Sequence, residues 1–231
     1  MLLADPYFLY PASGFTVVQN QNTTGGGSGS ISLTLTNPVT AGNSVIVACS
    51  APNSSTTTLN ISATIPGATV TFSPAYIYVD STHGIALGFW YLNSIPAGSL
   101  AVTVSPTNYF NYTGLQIYEV SPLISSPVLA TAQVTVASAA RPQVTTVNPA
   151  TQTVRSFGVT LMGDNGNYNN ATDSITGGWS FDLNYLLGAT SYVYVIAAHA
   201  LIPANTSPNC TWTLNGAAAK PEDYATVLFG Y

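Results

Sequence analysis

Ile31-Ser32-Leu33-Thr34-Leu35-Thr36, closed by Asn37-Pro38, decides the fold. Its apolar residues fall on every second position, the period of a strand that buries one face, and not on the three-and-four spacing of a helix. Proline then stops the run, because it cannot donate to a ladder and restricts the residue before it. Working outward, similar runs of β-branched and aromatic residues occupy 15–19, 44–49, 58–64, 75–79, 85–92 and 100–104. The second half repeats the pattern at 115–120, 128–136, 152–162, 179–183, 191–198, 211–214 and 224–231. Turn signals separate them every eight to twelve residues or so, and 15 prolines and 19 glycines punctuate too often for an amphipathic helix. The expectation is an all-β chain: a single antiparallel β-sandwich, jelly-roll or Ig-like, over residues 15–231, with an N-terminal extended arm over residues 1–14. Residues 19–30, with Gly25-Gly26-Gly27-Ser28-Gly29, read as a long hairpin loop.

Composition narrows the function. Only 5% of the 231 residues are charged, against about a quarter in ordinary soluble domains, and the formal net charge is -5. Three basic residues, Arg141, Arg155 and Lys220, are too few for the counterion release behind nucleic-acid affinity, so no nucleic-acid partner is expected. At 46% hydrophobic residues the chain should fold, yet no apolar run reaches the roughly eighteen residues of a membrane span. With so few carboxylates to protonate, the usual engine of acid denaturation is nearly absent, which suits a hot or acidic external habitat.

The opening Met1-Leu2-Leu3-Ala4-Asp5 lacks the basic region of a complete signal peptide, so an external address rests on other features. Asn-x-Ser/Thr triplets begin at Asn22, Asn53, Asn60, Asn111, Asn170, Asn205 and Asn209, the acceptor pattern for N-glycans, although a chain rich in these residues makes some by chance. Cys49 and Cys210 allow one pairing. A disulfide there would remove about 4 to 5 kcal/mol of unfolded-state entropy; the alternative is two separate buried thiols.

One segment stands outside the strand scheme. Leu2, Leu3, Tyr7, Phe8, Leu9 and Tyr10 crowd into a peptide that is apolar on both alternate faces and joins the first strand through Ala12-Ser13-Gly14. Left free it would aggregate, so it packs either on its own domain or, as a donor strand, on the open sheet of a neighbour.

Candidate chemistry is sparse. His83 and His199 are the only histidines, and no spacing resembles a zinc site; no metal and no cofactor are expected. Asp80 with His83, or Asp182 with a serine, would supply part of a nucleophilic triad, but no Gly-x-Ser-x-Gly elbow accompanies them. Glu119 and Asp182 are acids inside strand-like runs, with nothing in the sequence to set them face to face as a glycosidase requires. The oxygen-rich loop 164–173 departs from EF-hand spacing and reads as a turn cluster. No catalytic residue is assigned.

From Phe15 onward the motifs Leu33-Thr34-Leu35, Pro38-Val39-Thr40-Ala41-Gly42-Asn43, Phe89-Trp90-Tyr91, Pro96-Ala97-Gly98 and Tyr118-Glu119-Val120-Ser121 resemble an extracellular β-sandwich module common in microbial surface proteins. With the apolar arm, the glycan acceptors and the scarcity of charge, the whole is similar to the thread filament subunits of thermoacidophilic archaea. That resemblance implies a glycosylated sandwich at the cell surface whose N-terminal tail completes the sheet of the next copy in a homopolymer. The rival expectations are a carbohydrate-binding or adhesin module and a viral coat protein of the same β type.

Overall fold

The computed structural model describes residues 14–26, 29–52, 58–107, 112–136, 143–164, 174–187, 193–215 and 221–231. Sixteen strands and no helix form these segments. The first eight are β1 (Val17–Gly26), β2 (Ile31–Thr34), β3 (Ser44–Pro52), β4 (Leu59–Thr64), β5 (Ser73–Asp80), β6 (Ile85–Leu92), β7 (Ala101–Pro106) and β8 (Tyr112–Val120). The second eight are β9 (Val128–Val136), β10 (Gln143–Val147), β11 (Ser156–Asp164), β12 (Ser174–Thr176), β13 (Ser180–Leu187), β14 (Val193–Ile202), β15 (Cys210–Leu214) and β16 (Glu222–Gly230).

The expected antiparallel β-sandwich is present, built from four sheets instead of two. Their orders are β2-β7-β4, β1-β8-β3-β6-β5, β13-β14-β11-β16-β9 and β10-β15-β12. Adding eight to every strand number of the first two sheets reproduces the last two, so the chain is a tandem repeat of one topology. In each copy strands one, eight, three and six lie side by side and strands two, seven and four form the facing sheet, which is the jelly-roll arrangement with the fifth strand joined to the larger sheet.

The two larger sheets pack face to face in the middle and the smaller sheets cover the outside, which makes three cores. Val45, Val47, Cys49 and Ala51 of β3 face the first core, while Ile46 and Ala48 face the second. Phe157, Val159 and Leu161 of β11 close that central core from the other side, and Met162 faces the third core. A strand covered on both faces must be apolar at nearly every position, and β3, β11 and β16 are buried from end to end. The larger sheets stack in reversed order: β1 lies along β13, and β5 meets β16. This is a two-fold arrangement of the rolls, with the first strand of one opposite the fifth strand of the other.

Glycine is required where rings cross the strands. A Cβ on Gly88 would stand 2.2 Å from the Trp90 ring, and one on Gly158 would stand 2.5 Å from the Trp179 ring. Residues 19–26, expected in a loop, instead belong to β1, which pairs with β8 along its length. Polar side chains are acceptable there because β1 is an edge strand whose Gln19, Asn20 and Asn22 find partners.

The expected Cys49–Cys210 disulfide is corrected to two free, buried thiols. Cys49 belongs to the first core and Cys210 to the third. Cys49 lies in one larger sheet with its side chain on the outer face, the other larger sheet stands between it and the sheet of Cys210, and one sheet-to-sheet step of about 10 Å already exceeds the reach of a disulfide. Burial pushes both thiols up in pKa, Cys210 to about 12, which leaves them protonated and unreactive. The donor-strand residues Leu2, Leu3, Tyr7, Phe8, Leu9 and Tyr10 lie outside the described residues, as do Asn53, Asn111 and Asn170. Among the described residues no helix is long and apolar enough to cross a membrane.

Candidate functional site

In a chain with 8 acidic and 2 histidine residues, the places where they meet are informative. Both histidines pair with an aspartate at an edge of the central interface, one at each end of the reversed stack.

At the first seam, Asp182 of β13 and His199 of β14 face β1 and β8. Tyr118 donates its hydroxyl to Asp182 Oδ2 at 2.6 Å, Asn20 Nδ2 donates to Oδ1 at 3.0 Å, and His199 Nδ1 lies 2.7 Å from Oδ2. An ionised carboxylate only accepts, so the proton of that last bond sits on Nδ1. Asn22 Nδ2 adds a bond to the Asp182 carbonyl at 2.8 Å. Phe157 and Tyr118 flank the imidazole, with ring centroids 5.5 and 5.8 Å away. Burial, and then the Asp182 charge, push the Tyr118 phenol well above its ordinary pKa, so it stays protonated and donates. Both carboxylate oxygens are used, and the network ties β13 to β1 and β8.

At the second seam, the tight turn after β5 brings Asp80 and His83 together. Asp80 Oδ1 accepts the backbone N–H groups of Thr82 and His83 at 2.8 and 3.0 Å, and His83 Nδ1 lies 2.7 Å from Oδ2. Burial raises the Asp80 pKa, but the bonds from His83 and Thr82 more than offset it and hold the carboxyl below its usual value. Asp223 of β16 arrives from the second roll. Its Oδ1 accepts Thr135 Oγ1 at 2.5 Å, and Thr135 is itself held by Tyr78 and Gln133. Asp223 is 0% exposed, and its Oδ2 accepts no hydrogen bond. Burial pushes its carboxyl up to about 6, with the Asp80 charge adding to the rise and the Thr135 and Tyr78 hydroxyls and the His83 ring opposing it. One ligand-capable atom from each of Asp80, His83 and Asp223 lies within 4.8 Å of the other two.

Glu119 is separate from both seams. Its Oε1 accepts Thr40 N and Asn43 Nδ2, and its Oε2 accepts Gln19 Nε2, so it fastens the loop after β2 to β8 and β1. Glu119 and Asp182, the two acids noted inside strand-like runs, therefore serve different networks.

Sequence reading set Asp80 with His83, a pair the structure brings together, and Asp182 with a serine, where the structure gives it His199, Tyr118 and Asn20 instead. The available signal was local for His83, three residues after Asp80, whereas His199 and Asp182 stand 17 residues apart in or beside separate strand-like runs. Nothing local points to Asp223, which reaches Asp80 only through the docking of one roll on the other. Asn22, Asn60, Asn205 and Asn209 are exposed. A cleft of about 260 Å³ is lined by Gly14, Phe15, Ser121, Pro122 and Tyr231. No family model, curated protein or solved structure matches this chain.

Proposed function

We propose that the chain is the structural subunit of an extracellular filament, in which residues 2–10 of one copy add a strand to a sheet of the next. The observation that carries this is the completeness of the body. Both rolls have all eight of their strands between Val17 and Gly230, so the apolar peptide at residues 2–10 is surplus to the fold it precedes. Its root is firmly seated: Phe15 stacks on Tyr231 with centroids 4.0 Å apart and packs against Phe157 at 5.4 Å.

A receiving edge is at hand in the topology. Because the fifth strand of each roll joins the larger sheet, the smaller sheets have three strands among the described residues, and within those residues β4 and β12 each keep one edge unpaired. Strand addition there satisfies backbone groups along the ladder, while each buried Leu or Phe of the arm contributes about 1.5 to 3 kcal/mol. N-glycans on Asn22, Asn60, Asn205 and Asn209, all exposed, would supply the hydration that so few charges cannot. Asn53, Asn111 and Asn170 complete the set of acceptors.

The test is removal of residues 1–13 followed by electron microscopy of the product. The expected result is a folded monomer that no longer forms threads; threads of unchanged appearance would refute strand donation. The coat-protein reading is favoured by one observation, two jelly rolls in tandem, an architecture that capsid proteins use. Closed shells in the native particle, in place of threads, would select it.

A further inference from the structure

We infer that Asp80, His83 and Asp223 form a binding site for one divalent transition-metal ion, which clamps the β5–β6 turn of the first roll to β16 of the second. This stands apart from strand donation and needs only the body of the molecule.

The first support is geometric. The three side chains already offer ligand atoms within 4.8 Å of one another. Bonds of about 2.0 to 2.2 Å set neighbouring ligand atoms roughly 3.0 to 3.6 Å apart, so a contraction of about 1 Å closes the site. Asp80 and His83 stand at the β5–β6 turn with side-chain exposures of 11% and 20%, and Asp223 lies within β16, so the contraction falls between the turn and that strand.

The second support is the orphan oxygen. A fully buried carboxylate oxygen without a donor costs free energy that native structures rarely leave uncompensated. Asp223 Oδ2 is such an atom, while Oδ1 of the same group is oriented by Thr135. Tyr78 and Gln133 in turn hold Thr135, the kind of outer layer that aims a metal ligand. The comparison with the other seam is direct. At Asp182 both oxygens have partners, and that network is complete without an ion.

The third support is chemical class. Two carboxylates and a neutral imidazole carry the charge that one divalent cation cancels. The nitrogen ligand and the small number of protein ligands favour the zinc, cobalt and manganese class over calcium, which takes six to eight oxygens. Side-chain exposure of 20% at His83 and 11% at Asp80 leaves room for water to fill the remaining positions.

The experiment uses the full chain, stripped with a chelator, dialysed, and titrated with Co²⁺ at neutral pH. One equivalent is expected to give a saturable visible d–d band that Zn²⁺ abolishes by displacement, and Zn²⁺ is expected to raise the melting temperature. Asp223→Asn and His83→Gln should each weaken Co²⁺ uptake more than about tenfold. Asp182→Asn at the other seam should leave uptake unchanged. Melting of chelated Asp223→Asn at or above the wild-type temperature would show that the variant folds. Absence of a cobalt band in the wild type, a band unaltered in Asp223→Asn, or stabilisation by Ca²⁺ equal to that by Zn²⁺ would each overturn the assignment. The first of these outcomes would mean that the orphaned Asp223 oxygen is not there to hold a metal ion.

Discussion

Glu119 sits within β8 with no exposed surface, and donors from three other places on the chain meet it there. Burial alone pushes its pKa up; the bonds from Gln19, Thr40 and Asn43 more than offset that and hold it below the usual glutamate value. A carboxyl whose folded pKa is depressed stabilises the fold above its unfolded pKa, and loses that contribution as pH falls through the folded value. Glu119→Gln keeps the shape but replaces one acceptor oxygen by a donor that would face Asn43 and Thr40, or Gln19. At neutral pH the variant should unfold about 1 to 3 kcal/mol more easily in urea. Below the glutamate range the gap between variant and wild type should close. A penalty that is the same at pH 7 and at pH 3 would show that the charge has no part in it.

Strands are where reading the sequence succeeded and where it stopped. The boundaries of β6 and β9 match the expected runs residue for residue, because Ile85–Leu92 and Val128–Val136 are dense in strand formers and end at turn residues. β10 escaped notice for a physical reason. It turns Gln143 and Thr145 inward and leaves Val144 64% exposed, so its polar pattern is the reverse of a half-buried strand. Its partner in the first roll, β2, shows the ordinary pattern with Ile31 and Leu33 inside, and that contrast hid the tandem repeat. The seams were illegible because each pairs residues from opposite rolls. At Asp182 the consequence is measurable. Asp182→Ala strands the Tyr118 hydroxyl in the interior and frees β13 from β1, a loss of about 2 to 4 kcal/mol. Hydrogen exchange should speed up in β1 and β13 ahead of β3 and β11; uniform acceleration across all four strands would contradict a local clamp.

At the scale of the whole molecule, stability rests on three apolar cores stacked between four sheets, and charge contributes little in any direction. The formal charge is -5 near neutrality; with every carboxyl protonated, 3 basic residues and 2 histidines remain, a charge of similar size and opposite sign. Self-repulsion is therefore weak at both extremes, and acid removes few favourable pairs because few exist. Glu119 and Asp80 are carboxylates that lose a native advantage on protonation, and two such groups shift stability by a small part of what a body this size buries. The chelated protein should accordingly keep a single cooperative thermal transition at pH 3, within about 10 °C of its value at pH 7, followed by calorimetry. Cooperative unfolding at room temperature with a midpoint near pH 4 would mean that buried carboxylates, and not the apolar layers, hold the two rolls together.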